Sequence, residues 1–84
     1  MKILEVLHAM QDVEVEIHVF KNFKSPKVDE PVSEIIVLEG KRHDVCVELY
    51  RKEYEQYSDA EVFFIGFSNK SSRSRIIRIN CCIS

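Results

Sequence analysis

The chain has 84 residues and a mass of 9.9 kDa; 45% of the residues are hydrophobic, 31% are charged, and the formal net charge is −2. One small domain accounts for that length, because so short a chain buries only about 60–65% of the surface its unfolded state exposes, and the composition excludes both a disordered chain and a disulfide framework. No stretch reaches the roughly 18–20 continuous apolar residues of a membrane span, and Glu5 and His8 interrupt the apolar run a signal peptide requires, so the chain reads as cytosolic.

Ile3, Val6, Leu7 and Met10 recur at i, i+3, i+4, i+7 and predict a short N-terminal helix. From Asp12 the period changes to two. Val13, Val15, Ile17 and Val19 alternate with Glu14, Glu16, His18 and Phe20, the pattern of a strand with one wet face. Burying those four aliphatics is worth on the order of 2 kcal/mol each before entropy, so the strand needs a cover, and the preceding helix is the nearest one. Residues 21–31 hold both prolines and a Lys-rich run, and a second apolar run follows at Ile35 to Leu38, which makes a hairpin with a long loop. Gly40 ends that strand. Asp44 then caps a helix on which Cys46, Leu49, Tyr50, Tyr54 and Tyr57 share one side; Val45, Val47 and Leu49 also alternate, so a strand competes, but the good helix formers from Glu48 to Gln56 favour the helix. Val62 to Phe67 forms a third strand, residues 68–74 a polar loop, and Ile76 to Ile83 the last strand.

Residues 10–25 laid over 57–72 match at Asp12/Asp59, Glu14/Glu61, Val15/Val62, Phe20/Phe67, Asn22/Asn69 and Ser25/Ser72. The expected fold is therefore α+β: a four-stranded, mainly antiparallel sheet with two helices on one face, in the order αββαββ, with residues 1–40 and 41–84 as repeats of an α-β-β unit.

In the first repeat the face away from the helices reads Glu14, Glu16, His18, Phe20, which water tolerates. The matching positions of the second read Glu61, Phe63, Ile65, Phe67, with Ile76 and Arg78 alongside. So greasy a surface points to a protein interface of Phe20, Phe63, Ile65, Phe67, Ile76 and Arg78, and to a homodimer first because two-fold dimers are the commonest soluble assembly; the competing account is a sheet that curls over these side chains itself. All 14 acids lie at or before Glu61, so residues 1–61 carry −6, while residues 62–84 carry four cations and no acid. The two hairpin loops are equivalent under the duplication and are expected to project from one region. Their Lys21, Lys24, Lys27, Lys70, Arg73 and Arg75, with Arg78, form the candidate grip on nucleic-acid phosphates, against which stands a pI of 5.9.

Three cysteines argue against a disulfide framework. His43 and Cys46, with Cys81 or Cys82, have ligand chemistry, but a vicinal Cys pair on a strand chelates poorly, so no metal or other cofactor is expected. The two glycines, Gly40 and Gly66, make no phosphate-cradling loop, no nucleophile sits in a recognisable turn, and the chain reads as a non-enzyme. The segments Gln-Asp-Val-Glu-Val at 11–15 and Ser-Asp-Ala-Glu-Val at 58–62, each following a helix, resemble the openings of short phage and prophage reading frames. That resemblance implies a phage-encoded protein in the host cytoplasm that binds and blocks a host protein such as a defence nuclease. It carries over no functional residue. The leading expectation is thus a dimeric protein-binding inhibitor, and the alternative a nucleic-acid accessory protein.

Overall fold

The computed structural model describes residues 1–21, 33–68 and 75–83. Helix α1 (Ile3–Ala9) is followed by strands β1 (Glu14–Lys21) and β2 (Ser33–Lys41), helix α2 (Arg42–Leu49), a 3-10 helix (Lys52–Tyr57) and strands β3 (Glu61–Phe67) and β4 (Ile77–Ile83). The four strands form one mixed sheet in the order β2-β1-β4-β3, antiparallel at β1–β2 and β3–β4 and parallel at the central β1–β4 seam. This is the expected α+β class and element order. The two halves nevertheless occupy unlike positions: β1 is central, whereas β3, its counterpart in the proposed repeat, is an edge.

The alternation read in β1 is what builds the core. Val15, Ile17 and Val19 are buried and face Ile3 and Leu7 of α1, Val45 and Leu49 of α2, and Ile79 and Cys81 of β4 in one apolar cluster. Glu5, at the third position of α1, accepts the Lys2 N–H at 3.1 Å and so satisfies one of the donors a helix start leaves open.

The second helix departs from expectation in two ways. It starts at Arg42, and no Asp44 cap forms: the Asp12 side chain accepts the His43 N–H (3.0 Å) and the Val13 carbonyl the Arg42 N–H (2.8 Å). It also stops at Leu49, because Arg51 is extended (φ −70°, ψ 146°), and the polar stretch beyond coils as the separate 3-10 helix. Of the expected tyrosine stripe, Tyr57 reaches the core, while Tyr50 is 64% exposed and donates or accepts at His8 Nε2 (2.8 Å). Gly40, opposite Val15 one residue before the end of β2, has φ +145°, a conformation side-chain-bearing residues rarely adopt.

Candidate functional site

Cross-strand partners share a face, so the register lays out the side of the sheet away from the helices in rows. One row is Glu39–Glu16–Arg78–Gly66 and the next is Val37–His18–Asn80–Phe64. This corrects the expected placement of the greasy residues. A bulge between Val62 and Phe64 puts Phe63 out of step, so Phe64 and Gly66 take the open face, while Ile65 and Phe67 pair with the core-side Ile79 and Ile77. Helix α2 packs on β2 and β1, and at the far edge Ile65 and Phe67 stay 52% and 64% exposed.

The middle of this open face is not the wet surface the alternation implied. Glu16 is 1% and His18 7% exposed. The His18 ring meets a carboxylate at each nitrogen, Glu16 Oε1 at Nε2 and Glu34 Oε1 at Nδ1, and Ser68 Oγ donates to the second Glu16 oxygen at 3.1 Å. An imidazole serves two carboxylates at once only when both ring nitrogens carry protons, or when one carboxyl keeps its own. Ser68 hydrogen-bonds to a carboxylate and not to the imidazole, so the order of groups differs from that of a nucleophile-base-acid triad.

Above this floor lies a cleft of about 680 Å³ lined by Glu16, His18, Arg78, Asn80, Ser68, Phe63 and Phe64, with Phe67 at the end of β3 touching its rim. Gly66 makes room for it. A Cβ there would lie 2.7 Å from Phe64 Cζ, so the Phe64 ring rests on backbone that only glycine leaves bare. Arg78 bends along its own strand, donating from Nε to Asn80 Oδ1 at 3.0 Å. At the same end of the sheet the Arg75 guanidinium stands 5.9 Å from the centre of the Phe67 ring, a cation–π contact.

Of the expected interface residues, Phe20 is half-buried, its ring 6.5 Å from His18 and 5.8 Å from Phe63, and so props the cleft instead of facing outward. Ile76 is half-buried, with its carbonyl taking the Ser68 N–H, and Arg78 is a cleft residue. Of the expected phosphate-binding cations, Lys24, Lys27, Lys70 and Arg73 lie outside the described residues. Lys21 ends β1 and Arg75 precedes β4; the two strands are parallel, so the two loops leave from opposite ends of the sheet, not from one region as the duplication implied. The zinc candidates are also apart in role. His43 is exposed, Cys46 Sγ lies 3.9 Å from His8 Nε2, and Cys81 is fully buried with its thiol on the His18 carbonyl (3.6 Å). Burial, and secondarily the neighbouring Cys82, push the Cys81 thiol up to about 12. Among the described residues no group of three or more His, Cys, Asp or Glu is placed to hold a metal ion, and no helix is long and apolar enough to cross a membrane.

Sequence reasoning missed Glu16, His18, Ser68, Asn80 and Phe64. A Glu-x-His pair at the centre of a strand, flanked on its own face by a phenylalanine, is the one signal that pointed there. No family model, curated protein or solved structure matches this chain.

Proposed function

We propose that the chain is a non-enzymatic protein-binding module that pairs with a second copy of itself along β3. The carrying observation is an edge strand with a run of exposed apolar side chains: Phe63, Phe64, Ile65 and Phe67 are 39%, 49%, 52% and 64% exposed. The N-terminal residues protect only its start, where Met1 O accepts the Val62 N–H at 2.8 Å and Lys2 bridges to Glu61. From Phe63 on, no described strand lies on that edge, and an unprotected edge of this kind is a template for another strand.

An antiparallel pair of β3 strands related by a two-fold axis keeps both open faces on one side when the axis passes through Ile65. Ile65 then meets its own copy across the dyad, and Phe67, on the same side of the strand, lies next to that contact. The apolar side chains supply on the order of 800 Å² in total, below the ~1,200 Å² at which stable specific interfaces begin, so the pairing is weak and concentration-dependent. The surface away from the dyad, where Glu53 and Glu55 stand exposed on the 3-10 helix, is left for a basic target protein, which is the mode of action the resemblance to phage inhibitors implies.

Sedimentation velocity across a concentration series tests this. Ile65→Lys sets two ammonium groups opposite each other and is expected to give a monomer with an unchanged circular dichroism spectrum, and Ile65→Cys to cross-link into a covalent dimer on oxidation while the native thiols do not. A wild-type mass that stays monomeric at hundreds of micromolar refutes the reading.

A further inference from the structure

We propose that the cleft on the open face binds a small planar aromatic anion, a single aromatic ring system carrying a carboxylate or a phosphate. Its volume of about 680 Å³ falls within the ~300–1,000 Å³ of small-molecule sites. Phe63 and Phe64 line it, and the Phe64 ring rests over the bare Gly66 backbone, which together give an apolar surface suited to stacking a flat ring.

The charge of the ligand follows from how the floor is partnered. Glu16 is taken up by His18 and Ser68, and Glu34 by the other nitrogen of His18. Arg78 sits beside Glu16 in register yet makes no ion pair with it or with any other described carboxylate; its one recorded bond is from Nε to the neutral Asn80 amide. A guanidinium carries five N–H donors in a planar fork matched to carboxylate and phosphate oxygens. A neutral aromatic ligand would leave that fork unmet, and a bare anion would leave the rings wet. An aromatic anion satisfies both, with the Asn80 amide beside it as a further donor. Arg75, its guanidinium 5.9 Å from the centre of the Phe67 ring, is a second cation at the same end of the sheet.

The site does not depend on self-association, so the test uses 15N-labelled Ile65→Lys protein alongside wild type. Both are titrated with benzoate, adenosine monophosphate, inorganic phosphate and benzyl alcohol and followed by amide chemical shifts. Expected are saturable shifts centred on Phe64, Ser68, Arg78 and Asn80 with at least one of the two aromatic anions, at least tenfold tighter than with phosphate or benzyl alcohol; which of the two binds distinguishes carboxylate from phosphate. Arg78→Gln is expected to weaken binding more than threefold with the rest of the spectrum in place, and Phe64→Leu serves the same purpose should that variant not fold. Absence of saturable shifts with both aromatic anions, equal binding of benzyl alcohol, or a loss of threefold or less in the variant overturns the proposal.

Discussion

Replacing His18 with leucine tests whether the Glu16–His18–Glu34 cluster holds the open face together. The two carboxylates it serves stand in unlike surroundings: the Glu16 side chain is 2% exposed and that of Glu34 43%. Once the imidazole is gone, Glu34 regains water and Glu16 does not, although Ser68 still donates to one of its oxygens. The cost is the loss of a charge-assisted hydrogen bond to a buried carboxylate, about 2–3 kcal/mol. For a domain of this size, whose whole stability is roughly 5–10 kcal/mol, that is a large share. Replacing both partners, Glu16→Leu with His18→Leu, removes the buried charge as well as its partner and is expected to return stability to within about 1 kcal/mol of wild type or above it. Glu34→Ala, at the half-exposed end, costs less than about 1 kcal/mol. Urea unfolding of the set, with Glu16→Leu alone added, followed by circular dichroism gives the four differences and the Glu16–His18 coupling. A His18→Leu loss below about 1 kcal/mol, or a double variant as unstable as the two single losses added together, refutes the reasoning.

Gly66→Ala places a Cβ at 2.7 and 2.9 Å from two Phe64 ring atoms, so the ring must swing away at a cost of about 1–3 kcal/mol, read as a shift in the urea midpoint and in the Phe64 ring resonances. Gly40→Ala meets nothing closer than Val45 Cγ2 at 3.8 Å, yet its φ of +145° strains any side-chain-bearing residue, and urea unfolding should show a loss of about 1–2 kcal/mol without loss of the cleft resonances. Burial raises the Cys81 thiol from an ordinary 9.0 to about 12. Its contribution is therefore complete below pH 9, where the thiol is neutral in both states, and declines as pH rises towards 12 because the unfolded chain gives up a proton the folded one keeps, at up to ~1.4 kcal/mol per pH unit; Cys81→Ser should lack that decline when urea midpoints are compared across pH. Leu49→Ala, fully buried between α2 and the sheet, is expected to cost about 3 kcal/mol, against less than about 0.5 for the 47% exposed Val47→Ala.

Much of the architecture was legible because side-chain period reports which surface is buried. Val15, Ile17 and Val19 identified the inward face of β1, although the strand starts at Glu14 and leaves out Val13, and Ile3 and Leu7 identified the helix that covers it. What the period does not report is where a strand slips. One extra residue at Phe63 reverses the facing of everything after it, so counting by twos from Glu61 put Ile65 and Phe67 on the wrong side and passed over Phe64. The burial of Glu16 and His18 was hidden for a different reason. Alternation assigns polar residues to water by default, and their protection comes from a partner on β2, Glu34, and from Ser68 beyond β3, neither of which is near them in sequence. The stop at Leu49 was likewise out of reach, since the residues after it are good helix formers and only the extended Arg51 breaks the run.

The parallel seam also governs the order in which the molecule can be made. Each antiparallel hairpin closes over a loop of modest length, but β1 finds β4 only after roughly 60 intervening residues have been laid down, and such distant pairings form late. During synthesis the first hairpin therefore waits with the inner edge of β1 open, and with it the half-built polar floor that Asn80 and Ser68 will complete. A ribosome-stalled chain ending before β4 should accordingly be sticky and protease-sensitive, and become neither once the last strand is released.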